Sequence, residues 1–527
     1  MNGTVNKMTR SLRTLTVLAL TSPLLAGCMV GPNFERPAVA APAAYDRVTG
    51  VGAPSRPAQT PVVTDWWTLF GDPTLTSLEG RLADANLDVK VATARLLQSR
   101  AQRRVSGARE YPSFGAAGSY YRERASPNGI LSLMGTGAAA TQQQSAAGAA
   151  PFGVSSLSGS DGSPPYDLWQ AGVDTFWELD LWGGVHRGVE AANAVLEETL
   201  EDRRAVLLSA QAELARDYID LRASQTLLSI TQHNLDVARD SVRLTRLRFE
   251  QGVVTNLDVA DAQAQVATIE ARLPPLEARR DLLINALGLL LAEQPGALAD
   301  ELSLTGAIPR LPAEVPVGLP SELARRRPDI RRAEAELHRT TAAIGIAKAD
   351  FYPSISLSGS LGTQALALSN LGSWASHQFV LGPSISLPFF QGGRLKGMLA
   401  LRKAEQQEAA ILFQQTVLKA WHEIDDALSA YDAQQRRCDR LAEAVRHDRV
   451  ALELAQRRYR EGAIDFLNVL SVQRALLDAE SDLAASNGQG ANDLVILFKA
   501  LGGGWETAFP EPGTQSLSPS DNTGAGS

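Results

Sequence analysis

Between Val185 and Phe249 the chain has no proline and, apart from Gly188, no glycine. Leu207, Leu214, Leu221, Leu228, Leu235, Val242 and Phe249 recur there at every seventh position. A strict seven-residue apolar repeat keeps one seam against a neighbouring helix and imposes left-handed coiled-coil packing. At ~1.5 Å per residue such a helix is on the order of 100 Å long, about three times the hydrocarbon core of a bilayer. Glu197, Glu198, Glu201, Asp202 and Arg203 crowd one stretch of it, too polar for lipid. The helix must stand in water.

The same object occurs again 210 residues later, where Val417, Ile424, Tyr431, Cys438, Val445, Leu452 and Tyr459 take the same heptad positions. Arg248-Phe249-Glu250-Gln251-Gly252-Val253 is matched by Arg458-Tyr459-Arg460-Glu461-Gly462-Ala463, and a return helix follows each turn. Glycine at a sharp helical reversal supplies the positive φ that such a reversal needs. A third match, Asp88 through Ser113 against Asp329 through Ser354, has an offset of 241, so the first half carries extra residues between its strands. They form the Gly/Ala/Ser/Gln tract 125–165, read as a surface loop. The chain is therefore an internal two-fold repeat.

Four stretches alternate with period two, at about 113–124, 166–182, 354–363 and 377–390. In the second, Asp174, Glu178 and Asp180 share the polar side, opposite Trp169, Val173, Trp177 and Leu179. One apolar and one polar face suits a soluble sandwich or a membrane barrel with a wet lumen. Four strands cannot close a barrel. If this is a barrel, copies must share it, and three would supply twelve strands.

Residues 1–27 read as a secretory signal, with Lys7, Arg10 and Arg13 before the apolar run Leu12 to Leu25. Its removal takes those three cations and no acid, moving the net charge from −8 to −11. That sign argues against a nucleic-acid partner. Leu25-Ala26-Gly27-Cys28 resembles the bacterial lipobox, in which Cys28 carries diacylglycerol and an N-acyl chain. Met29, not Asp, follows, which implies outer-membrane sorting. The remaining spans are 28–63, an extended lipid-anchored tether; 64–292, the first repeat; 293–319, a Pro-rich linker; 320–505, the second repeat; and 506–527, a disordered tail.

No pattern points to an enzyme. His422-Glu423 begins like a metalloprotease helix, but Asp426 stands where the second histidine belongs, so no metal is expected. Glu178 and Asp180 are a solvated face more simply than a glycosidase pair. Cys438 sits in the heptad seam and reads as a small core residue.

Taken in order, further motifs resemble one family. They are Cys28-Met29-Val30-Gly31-Pro32-Asn33-Phe34-Glu35-Arg36-Pro37, Trp66-Trp67 with Phe70-Gly71-Asp72-Pro73, Trp177-Glu178-Leu179-Asp180-Leu181-Trp182-Gly183-Gly184, Arg327-Pro328-Asp329-Ile330-Arg331-Arg332-Ala333-Glu334 and Leu387-Pro388-Phe389-Phe390-Gln391-Gly392-Gly393-Arg394. The chain resembles the TolC-like outer-membrane efflux proteins, especially the lipoprotein branch serving resistance–nodulation–division (RND) pumps. The resemblance implies a mainly α fold with a small β part: a homotrimer with a twelve-stranded β-barrel in outer-membrane lipid and a coiled-coil α-barrel across the periplasm. It implies an inner-membrane pump and a periplasmic adaptor (membrane fusion) protein as partners, and no cofactor beyond the acyl groups. The adaptor-contacting tips become Gly252, Val253, Thr255, Gly462 and Ala463. Family members often close the periplasmic aperture with acids just past the second tip; here that place is Ser471, so Asp465, Leu467, Asp258 and Asp261 are further candidates. A type I protein-secretion duct, or a coiled-coil lipoprotein without a pore, are the alternatives at this point.

Overall fold

The computed structural model describes residues 29–38, 41–42, 45, 55–124 and 165–510. The signal segment, Cys28, residues 125–164 of the Gly/Ala tract and all but the first residues of the tail lie outside them. The fold divides into two compact units, and they are not the two repeats. One comprises the described parts of Met1–Phe34, Arg100–Ala194 and His338–Glu408; the other takes Glu35–Ser99, Val195–Leu337 and Ala409–Ser527. Each unit draws on both halves of the sequence.

In order, the elements are β1 (Arg56–Ala58), α1 (Pro73–Ala85), α2 (Leu87–Gly107), β2 (Ser113–Glu123), β3 (Tyr166–Leu179), α3 (Gly184–Glu250), α4 (Asn256–Glu270), α5 (Leu273–Leu290), α6 (Ala299–Leu302), β4 (Glu314–Pro316), α7 (Leu323–Arg326), α8 (Pro328–Ala349), β5 (Ser354–Ala365), β6 (His377–Ser386), α9 (Arg394–Arg460) and α10 (Phe466–Leu501). The two heptad helices, α3 and α9, have 67 residues each.

The first unit holds an antiparallel sheet in the order β2-β3-β5-β6. Its register sets Phe114 opposite Thr175, Val173 opposite Leu361, Trp177 opposite Leu357, and Leu361 opposite Phe379. Opposed residues share a face, so most apolar positions of β3, β5 and β6 fall on one side, with exceptions such as Phe176 (opposite Ser358) and Val380 (opposite Ser360). The other side carries Ser356, Ser358, Ser360, Gln170, Asp174 and Glu178. Strands β3 and β6 stop short of the spans expected for them. Pro388, which cannot donate to a ladder, lies just past the end of β6. After β3 the Trp182 indole instead donates to the Pro353 carbonyl (2.7 Å) and stacks on Tyr352.

The segment read as a tether is extended, but it is not slack. Val30 N–H donates to Trp182 O (3.1 Å), and the Arg187 guanidinium holds Asn33 (2.7 Å) and Glu190 (2.6 Å). Phe34 stacks on His338 with ring centres 4.4 Å apart. Gly31 lies so close to Gly345 that a Cβ would fall 2.6 Å from its Cα.

The second unit is built around Trp66, Leu75, Leu78, Leu82, Leu214, Tyr218, Ile424, Tyr431, Leu494 and Phe498. Trp66 stacks on Phe498 at 5.4 Å. The Phe70-Gly71-Asp72-Pro73 motif explains itself here. Gly71 takes φ 63 to close the turn that holds Trp66, and Asp72 caps α1 by accepting from Thr74 and Leu75 N–H. The helical pattern from about Leu75 to Ala108 is broken at Asn86, whose side chain accepts from Asp88 and Val89 N–H and starts α2. The linker is less loop-like than its composition: it contains α6, and β4 pairs in parallel with β1.

Candidate functional site

Both reversals end in the same six-residue geometry. Gly252 has φ 74 and Gly462 φ 72. Val253 N–H donates to Arg248 O and Gly252 N–H to Phe249 O; Ala463 to Arg458 and Gly462 to Tyr459 repeat the pair. These are Schellman closures, which satisfy the last helical carbonyls and require a left-handed residue at the glycine.

Past the turns the hairpins differ. Thr255 caps α4 with its hydroxyl, while both Thr255 N–H and the hydroxyl donate to Asp258 (2.8 Å each). Asp258 is thus committed to a capping box, which is a structural duty. Asp465 occupies the equivalent cap of α10 with no side-chain capping bond. Leu467 is 57 % exposed, and Ser471, one turn on, is also exposed, whereas Asp261 is half-buried. The return path is broken in the first hairpin, at Ala271-Arg272 before Pro274, and continuous in the second.

Sequence patterns miss the contacts that join the hairpins. Arg248 Nη1 donates to Tyr459 O (2.6 Å), and its guanidinium lies 4.4 Å over the Tyr459 ring, which also packs on Phe466. Farther along, Glu480 accepts from Arg449 (2.7 Å) and from Asn234 (3.2 Å), tying α3, α9 and α10. A cavity of about 270 Å³ opens between Val237, Ser241, Leu244, Tyr459, Phe466 and Val469. The one advance signal was that Arg precedes an aromatic residue at both turns. Nothing in periodicity says that Arg248 meets the Tyr459 ring of the other hairpin.

Of the strand acids, Asp174 and Glu178 lie on the polar face. Gly115 makes room for the first, since a Cβ there would come 2.8 Å from Asp174 Oδ1. Asp180 does not belong with them. The strand ends at Leu179, and the Asp180 carboxylate accepts from His186 N–H (2.8 Å) at the start of α3. Glu423 of the His-Glu pair accepts from Arg327 (2.7 Å). The Cys438 thiol is half-buried, 3.2 Å from Ser486 Oγ. Among the described residues, no cluster of three His, Cys, Asp or Glu side chains could hold a metal, and no helix is long and apolar enough to cross a membrane.

Residues 80–293 and 319–503 match the family described as outer membrane efflux protein. The efflux pump outer membrane protein TtgC of Pseudomonas putida, described as probable, is 31 % identical over 94 % of this chain and 96 % of its own length. Outer membrane protein OprJ of Pseudomonas aeruginosa is 31 % identical over 93 % and 95 %. The solved outer-membrane channel OprN superposes with a TM-score of 0.80 at 32 % identity, covering 91 % of this chain and 100 % of that one. The chain belongs to the outer membrane efflux protein family and is an outer-membrane channel component of an efflux system, extending into the periplasm.

Proposed function

We propose that three copies of this chain form a passive exit duct for drugs or other small molecules. Each gives four strands to one twelve-stranded barrel and two hairpins to a periplasmic tunnel. The observation that carries this reading is the sheet. Among the described residues β2 and β6 each have one strand neighbour, and the apolar face stands open, with Phe379 79 % exposed. Open apolar strand edges are an aggregation hazard in water. Joining β6 of one copy to β2 of the next removes every edge and turns the apolar face to lipid. Asp174 and Glu178 then line the lumen. Phe389, 94 % exposed just past β6, suits the aromatic belt at a membrane surface.

The duct performs no chemistry of its own. An inner-membrane pump of the RND type supplies energy, and an adaptor docks on the tips Gly252, Val253, Thr255, Gly462 and Ala463. Closure falls to the second hairpin, at Asp465 and Leu467. Asp465 has no capping duty, so three such carboxylates on one axis repel, and adaptor or cations shift the closed–open balance. Cys28 carries diacylglycerol and an N-acyl chain in the outer membrane. Native mass spectrometry of protein extracted in mild detergent tests the ring. Three chains support it; a stable monomer refutes it.

A further inference from the structure

We propose that Arg458 and Phe249 form, between neighbouring copies, the contact that Arg248 and Tyr459 form within one copy. This rests on the ring of copies put forward above.

The 210-residue repeat predicts which contacts should have a counterpart. An ion pair inside each hairpin obeys it. Arg239 pairs with Glu270 at 2.7 Å, and Arg449 with Glu480 at 2.7 Å, each residue displaced by 210. The closures at Gly252 and Gly462 obey it as well. At the turns, the contact between hairpins is Arg248 of the first repeat on Tyr459 of the second. Displaced by 210, it becomes Arg458 of the second repeat on Phe249 of a first repeat. Within one chain that first repeat is already used on the other side. A ring of alternating hairpins supplies another, from the next copy.

The side chains are left in the state this requires. Tyr459 is 3 % exposed beneath Arg248 and Phe466, whereas Phe249, its repeat mate, is 43 % exposed. Arg458 is exposed, with no side-chain hydrogen bond or ion pair among the described residues. An unused guanidinium and an uncovered ring at equivalent turns fit one another: Arg458 donates to the Phe249 carbonyl and covers its ring. The closed tips are then held by six Arg–aromatic contacts, three within chains and three between them.

Two chains are co-expressed with different tags, both with Cys438→Ala, one carrying Phe249→Cys and the other Arg458→Cys. A short bis-maleimide is added to the extracted protein. A linked two-chain band at least tenfold stronger than from either variant alone supports the contact. Intact trimers without that band overturn it. Loss of the trimer in native mass overturns the ring itself, a separate readout. Independently, Phe249→Ala and Arg458→Met each raise the channel's open fraction severalfold, and the double variant no further, because both remove one contact. Additive effects overturn the pairing.

Discussion

Arg248→Met removes one joint between the hairpins and keeps most of the alkyl stem in place. A hydrogen bond from a charged donor contributes ~1.5–3 kcal/mol. Arg248 is half-buried, so solvent screening brings that to about 1 kcal/mol. The guanidinium over the Tyr459 ring adds ~0.5–1 kcal/mol. The joint is therefore worth about 2 kcal/mol in each protomer, which raises the opening equilibrium roughly 30-fold per tip. Arg243 on the same helix provides the control. It pairs with Asp240 one turn back and is exposed, and such a pair contributes ~0.3–0.5 kcal/mol. In planar-bilayer recordings Arg248→Met should raise the open fraction by an order of magnitude and Arg243→Met by no more than roughly two- to threefold. If the two variants behave alike, the tip is not held by this joint.

Three further outcomes are expected. Glu79 is fully buried with both carboxyl oxygens unpartnered, and burial raises its pKa well above the ordinary carboxylate range. The folded state then binds a proton that the unfolded state releases, so stability falls by up to about 1.4 kcal/mol per pH unit above the unfolded value. Glu79→Leu should stabilise the protein, more at pH 8 than at pH 5, in thermal unfolding of the detergent-solubilised protein. Cys28→Ser should abolish fatty-acid labelling of the mature chain. Gly462→Trp, which strains the left-handed turn at φ 72 and places a bulky ring beside Arg248 Nη2, should distort the second tip and block pump-dependent export while native mass still reports trimers.

The heptads were legible because burial imposes a period, and the structure shows where that logic fades. Leu207, Leu214 and Leu221 are fully buried, but the first seam opens toward Phe249. The second is still buried at Tyr459, because Arg248 lies over its ring and Phe466 packs beside it. The sheet faces were legible for the same reason, since alternation survives whatever the register. Breaks set by one side chain were not. Asn86 looks like any polar surface residue until its oxygen is seen capping α2. Asp180 fits the strand pattern by parity, yet its carboxylate serves the next helix. The strap at Val30 to Phe34 lacks period altogether, because its partners Trp182, Arg187 and His338 are scattered along the sequence. Contacts between hairpins, such as Arg248 to Tyr459, depend on which repeat lies beside which, and no local pattern encodes that.

The proposed function puts a duct through the barrel and its narrowing at the helical tips. Single-channel recording of the purified protein tests it most directly, comparing wild type, Leu467→Ser at the tip and Glu178→Gln on the strand face. Discrete conductance steps should grow in Leu467→Ser and stay unchanged in Glu178→Gln. Steps governed by the strand substitution and indifferent to Leu467, or no conductance from an intact trimer, would contradict it.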